Sequence, residues 1–105
     1  MSIINIETSY QLNELLTKPY VLLKFSAEWC LPCKRIQPFF ERLSKENEHI
    51  CFGHIDVDDV RDVCDTYIVN AMPTLILLKN GEEISRTEGG NETKLHEMIK
   101  LCEKC

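Results

Sequence analysis

The strongest constraint on this chain is the run YVLLKFS, Tyr20–Ser26, which is apolar at nearly every position. A strand with one face in water alternates apolar and polar residues; a strand covered on both faces does not. Such a strand belongs inside a sheet that carries helices on both sides. One residue breaks the run. Lys24 carries an ammonium group into what otherwise reads as the driest part of the fold.

The remaining segments supply the neighbours. SIINIE (residues 2–7) is a short β-rich stretch. Thr8 with Gln11 three residues on reads as a capping box, opening a helix with Leu12, Leu15 and Leu16 on one face, which Pro19 ends. From residue 31 to about residue 48 the period is helical, with Ile36, Phe39, Phe40 and Leu43 as its stripe and Pro38 predicting a kink. HICFGHIDV (49–57) reads as a second buried strand. DDVRDVCDTY (58–67) reads as a helix with an acidic first turn and core positions Val60, Val63 and Cys64. TLILLKNGEEISRTE (74–88) is a hairpin around Asn80-Gly81. A last helix from about Glu92 buries Leu95, Met98, Ile99 and Cys102. The order is βαβαβαββα. It predicts an α/β fold with parallel crossovers and an antiparallel pair at the end.

A length of 105 residues argues for one domain, 1–105, and 44% hydrophobic residues are enough for a core. A net charge of −5 argues against binding nucleic acid through a basic patch. No stretch approaches the roughly 18 apolar residues of a membrane span. MSIINIETSY lacks the basic start and apolar core of a signal peptide. The expectation is a soluble, cytoplasmic protein, mainly monomeric, that binds neither nucleic acid nor membrane. In that setting six cysteines do not suggest a disulfide framework.

Two of them, Cys30 and Cys33, form Cys-x-x-Cys where the buried strand gives way to a helix. Unpaired N–H groups and partial positive charge at a helix start stabilise a thiolate, the form that attacks disulfides. Cys30, at the expected exposed end, is the candidate nucleophile, and Cys33, one turn on, can attack the mixed disulfide that results. Pro32 lacks an N–H and presets φ for the first turn.

At these residues the chain resembles the thioredoxins. Trp29-Cys30-Leu31-Pro32-Cys33-Lys34 is similar to the family's W-C-G-P-C-K. Pro38 matches its kink proline, Met72-Pro73-Thr74 its cis-proline segment, LKNGEEI its hairpin, and Glu88-Gly89-Gly90 its loop. The likeness covers nearly the whole chain and is nearest the cytosolic eukaryotic branch. It implies a thioredoxin fold, a central mixed sheet of about five strands flanked by four helices. It implies a protein-disulfide reductase in which Cys30 attacks and Cys33 resolves. Pro73 would lie against the pair, and backbone around Ala71 and Met72 would pair with an extended substrate. Trp29, Leu31, Pro32, Gly89 and Gly90 would complete the groove. No cofactor or metal would be bound; electrons would come from NADPH through a flavin-dependent thioredoxin reductase. Peroxiredoxins, methionine sulfoxide reductase and ribonucleotide reductase would be targets.

Two positions depart from that pattern. Where thioredoxins usually carry a buried aspartate, credited with moving the proton of the resolving cysteine, this chain has Lys24. Leu22, Lys24 and Ser26 share one strand face, and the family's geometry would point Lys24 beneath the cysteines. A charged Lys24 favours thiolate and a more oxidising pair; a desolvated, neutral Lys24 accepts a proton. The plain alternative is that its stem packs and its ammonium reaches water. Leu31 replaces the usual glycine and adds apolar surface beside Cys30, or is merely tolerated.

Cys51 and Cys64 read as small buried hydrophobes. Ala71 stands where the human-type relative has a regulatory cysteine. Cys102 and Cys105 make a terminal CEKC. A zinc site shared with Cys30 and Cys33 fails on distance, since about twelve helical residues span roughly 18 Å. A prenylation box fails on Glu103 and Lys104. The reading kept is a core Cys102 with a frayed, exposed Cys105. DVDDVRD fails as a calcium loop, because counting from Asp56 the sixth and twelfth places hold Arg61 and Tyr67. His49, His54 and His96 lack metal or triad spacing and read as solvated or packed. Two rival functions remain: a divergent thioredoxin acting mainly as oxidant or isomerase, and a thioredoxin-fold binding module. Retention of Trp29, both cysteines and Pro73 argues against the module.

Overall fold

The computed structural model describes residues 3–102. Five strands, β1 (Ile3–Ile6), β2 (Tyr20–Ser26), β3 (Cys51–Asp56), β4 (Thr74–Lys79) and β5 (Glu82–Glu88), form one mixed sheet in the order β1-β3-β2-β4-β5. β2 lies at its centre, parallel to β3 and antiparallel to β4, and every residue of β2 is buried. Four helices, α1 (Ser9–Leu15), α2 (Leu31–Glu46), α3 (Arg61–Tyr67) and α4 (Glu92–Lys100), cover both faces.

The alternation of β2 sorts its side chains between two cores. Tyr20 and Leu22 face α2 and α4, where they meet Ile36, Phe40, Leu43, Leu95, Met98 and Ile99. Val21, Leu23 and Phe25 face α1 and α3, where they meet Leu12, Leu15 and Val63. Lys24 and Ser26 therefore fall on the α2 side. The Phe40 and Phe52 rings meet edge-on, centroids 5.3 Å apart, a geometry worth about 0.5–1.5 kcal/mol beyond burial.

The expected punctuation is largely present. Thr8 Oγ1 accepts from the Gln11 N–H at 3.1 Å and Gln11 Oε1 accepts from the Thr8 N–H at 3.1 Å, closing the capping box. Asn80 and Gly81 both take positive φ, 51° and 84°, as a two-residue hairpin turn requires. Two expectations move. α3 begins at Arg61, not at Asp58, because the Asp56 carboxylate accepts from the Asp58 N–H at 2.9 Å and holds 56–59 as a turn. β3 begins at Cys51, since Asn47 caps α2 and its carbonyl accepts from the Ile50 N–H at 3.1 Å. Leu16 is only partly buried, at the C-cap of α1.

Candidate active site

β2 ends at Ser26, and a turn closed by the Cys30 N–H donating to Ala27 O at 3.1 Å leads into α2. Cys30 is the N-cap of α2, and the Cys33 N–H donates to its Sγ at 3.2 Å. The two cysteines form a disulfide with Cα atoms 5.3 Å apart. Pro32 sits in the first turn, where its missing N–H costs nothing. The expected exposure of Cys30 is not observed: Cys30 is 4% and Cys33 2% exposed. In the oxidised state both sulfurs face an apolar cluster of Ala27, Val57 and Met72. What stands out to solvent is their rim, with Trp29 70% and Leu31 60% exposed.

Two other segments close around the pair. The Met72–Pro73 bond is cis, and Thr74 Oγ1 donates to Ala71 O at 2.5 Å. The Gly89 N–H donates to Pro73 O at 2.8 Å, tying the loop after β5 to the proline. Gly90 lies close to α2: a Cβ there would stand 3.3 Å from Pro32 O. The residues singled out in the sequence at 29–33, 71–73 and 89–90 are thus drawn to one end of the sheet.

Lys24 lies inside the fold. It is 2% exposed, and its Nζ donates to Cys33 O at 2.9 Å and to Gln37 Oε1. The helix backbone and Gln37 give the ammonium its partners inside the protein, so the snorkelling alternative is set aside. Nζ also lies 5.8 Å from the centroid of the Phe40 ring. Burial lowers its pKa to about 8, with Glu41 opposing the shift. Near neutral pH the group is still mostly the ammonium.

Beside Lys24 opens a cavity of about 180 Å³ that reaches Cys33 but not Cys30. Ser26, Gln37, His54 and Asp56 also line it. The register pairs Lys24 with His54 and Ser26 with Asp56 across β2 and β3. His54 Nε2 and Ser26 Oγ are 2.7 Å apart. Burial first, and the Lys24 charge second, lower the His54 pKa, against a smaller pull from Asp56. His54 was read from the sequence as solvated or packed. The signal that finds it is the strand register, which sequence spacing alone does not contain.

Among the described residues, Cys51, Cys64 and Cys102 belong to clusters other than the one that holds the pair. Cys51 and Cys64 are half-buried. Burial, then Asp65, Asp62, Asp56 and Asp58, pushes the Cys64 thiol up. Cys102 lies just past the end of α4, buried, and burial raises its thiol to about 11. Glu103, Lys104 and Cys105 lie outside the described residues, and the readings of CEKC that depend on them lie there too.

The family model described as Thioredoxin matches residues 3–101. A thioredoxin of Echinococcus granulosus is 47% identical over 76 residues, 72% of this chain and 71% of that one. A thioredoxin of Ovis aries is 40% identical over 97 residues, 90% of this chain and 92% of its own. The structure of Fasciola hepatica thioredoxin superposes with a TM-score of 0.90 at 38% identity, covering 93% of this chain and 97% of that one. With a Cys-x-x-Cys disulfide at the start of α2 and Met72 of the cis Met72–Pro73 bond packed against it, the chain belongs to the thioredoxin family and is a thiol–disulfide oxidoreductase of thioredoxin type.

Proposed function

We propose that the protein reduces protein disulfides, with Cys30 as nucleophile and Cys33 as resolving thiol. The observation that carries this reading is the place of the pair, capping α2 and facing the cis-Pro73 segment and the Gly89–Gly90 loop. The Cys30 thiolate attacks one sulfur of the target disulfide, forming Cys30–S–S–target and releasing the other target sulfur. Cys33 then loses its proton and attacks Cys30 Sγ. The Cys30–Cys33 bond forms, and the second target sulfur leaves with the electron pair. Backbone at Ala71 and Met72 pairs with an extended target segment, and Trp29, Leu31 and Pro32 give it an apolar rim. Electrons arrive from NADPH through a flavin-dependent thioredoxin reductase. Peroxiredoxins, methionine sulfoxide reductase and ribonucleotide reductase are the target classes, in the cytoplasm.

The test is insulin reduction with such a reductase and NADPH. Cys30→Ser abolishes turnover, and Cys33→Ser leaves the target held as a mixed disulfide on Cys30. Failure of the unsubstituted protein to turn over would favour the binding-module reading.

Lys24 favours a second emphasis. An ammonium held at Cys33 stabilises the reduced thiolate form, and that makes the pair more oxidising. Titration against glutathione tests it: Lys24→Asp lowers the reduction potential by about 30 mV for each ~1.4 kcal/mol of thiolate stabilisation removed. An unchanged potential would end this reading and leave the reductase reading standing.

A further inference from the structure

The resolving step needs a proton acceptor, and near neutral pH most of Lys24 already carries its proton. Three observations point to another group. The cavity beneath the pair is lined by Cys33 and not by Cys30. His54 lines that cavity and is only half-buried, whereas Lys24 is 2% exposed. His54 Nε2 lies 2.7 Å from Ser26 Oγ, which lines the same cavity. At about 180 Å³, the space admits more than one water, with polar partners on its walls.

We propose that His54 is a positioning residue for proton flow: it draws the Cys33 thiol proton, through Ser26 and cavity water, out to solvent during the resolving step. Lys24 and His54 then divide the work. The Lys24 ammonium, bonded to the Cys33 carbonyl, favours the forming thiolate by its charge, and the His54 imidazole takes the proton. Burial first, and the neighbouring ammonium second, favour the neutral imidazole. The step balances. Cys33 gives up its proton and forms the S–S bond to Cys30, the target sulfur leaves as thiolate with the electron pair of the broken bond, and the proton goes to His54 and then to solvent. The other charges facing His54 are Asp56 on its own strand, with Lys34 of α2 and Glu28 of the preceding turn on the cavity wall. Asp56 favours the imidazolium and so limits how far the Lys24 charge pushes His54. Glu41 acts on Lys24 instead. The proposal rests on Cys33 being the resolving thiol.

Stopped-flow reaction of reduced protein, in excess, with a chromogenic aryl disulfide separates the two steps. Each reagent molecule releases one thiolate on Cys30 attack and a second on Cys33 resolution. With His54→Gln the second phase slows about tenfold or more and loses its pH dependence on the acid side of 6.5, the ordinary imidazole value, while the first phase keeps its rate. Added imidazole restores the second phase in His54→Ala. Ser26→Ala, a milder change to the fold, slows the second phase alone by a smaller factor. Equal slowing of both phases, no slowing, or no rescue by imidazole overturns the proposal. Release of only one thiolate per reagent molecule by the unsubstituted protein would instead remove Cys33 as resolving thiol, and this proposal with it. The reduction potential separates the two lysine and histidine roles, since it moves with Lys24→Asp and holds with His54→Gln.

Discussion

At the scale of the residue, Lys24 is the position where burial and charge conflict most. Its folded pKa, about 8, lies below the ordinary 10.5, so between those values the unfolded chain binds more protons than the native one. Native stability owed to this site therefore rises with pH across that window and is lowest below pH 8. Lys24→Met removes the effect. Denaturant midpoints of the two proteins, compared at several pH values, will show the variant's relative advantage shrinking from pH 8 toward pH 10.5. A constant difference would mean that Lys24 is not desolvated. Cys102 shows the same physics with the opposite charge. With its thiol raised to about 11, about one molecule in a thousand is thiolate at pH 8. Mass mapping after alkylation of the native reduced protein at that pH will find Cys102 unmodified while Cys30 is labelled.

At the scale of the element, local chemistry decides the ends of helices and turns. Thr8 serves both arms of its capping box, so Thr8→Ala costs about 1 kcal/mol, read as a lower chemical-denaturation midpoint with unchanged slope. Asn91 Oδ1 caps α4 by accepting from the Lys94 N–H at 3.0 Å. It holds the helix start directly behind the Gly89–Gly90 loop, so cap and site are linked in the chain. α3 has no side-chain cap at Val60. Its other end is held from outside: Arg86 of β5 donates to Tyr67 O at 2.6 Å and to Ile68 O at 3.1 Å, and pairs with Glu83 at 2.8 Å. Ile68, β-branched, takes a φ of 53°, a conformation such residues rarely adopt. The arginine satisfies the carbonyls that this turn exposes. Arg86→Ala will raise amide exchange at residues 68–72, the segment that leads to Pro73, more than in β2. Uniform exchange across both would deny the arginine this local role.

At the scale of the molecule, the sheet's centre fixes what the site is made of. Gly53 on β3 shows how close the packing is: a Cβ there would meet Ile6 Cδ1 at 2.8 Å and Leu23 Cδ2 at 2.9 Å. Those are flexible ends, so alanine is accommodated by small shifts. Gly53→Val adds branches with nowhere to go and costs about 1–3 kcal/mol by overpacking, measured as a drop in thermal midpoint. On the other face of the sheet Lys24 is enclosed too: β3 and β4 flank it and α2 covers it.

Much of this protein was legible in its sequence, because the relevant physics is local. The nearly continuous apolar run of Tyr20–Ser26 pointed to a central strand, Asn80-Gly81 to a hairpin, Thr8 and Gln11 to a helix start, and Cys30 to a helix entrance. Tertiary structure decided the rest, because those facts depend on segments far apart in the chain. Register alone sets His54 beside Lys24 and Asp56 beside Ser26. Gly89 reaches Pro73 O only once β4 and β5 pair. The acidic residues 58 and 59 fell outside α3 because Asp56 captured the turn before them. Lys24 most clearly shows the division. Its sequence position announced a charge in a dry strand, but whether that charge escaped to water or stayed beneath Cys33 depended on α2 covering it and on Gln37 and Cys33 O offering it partners.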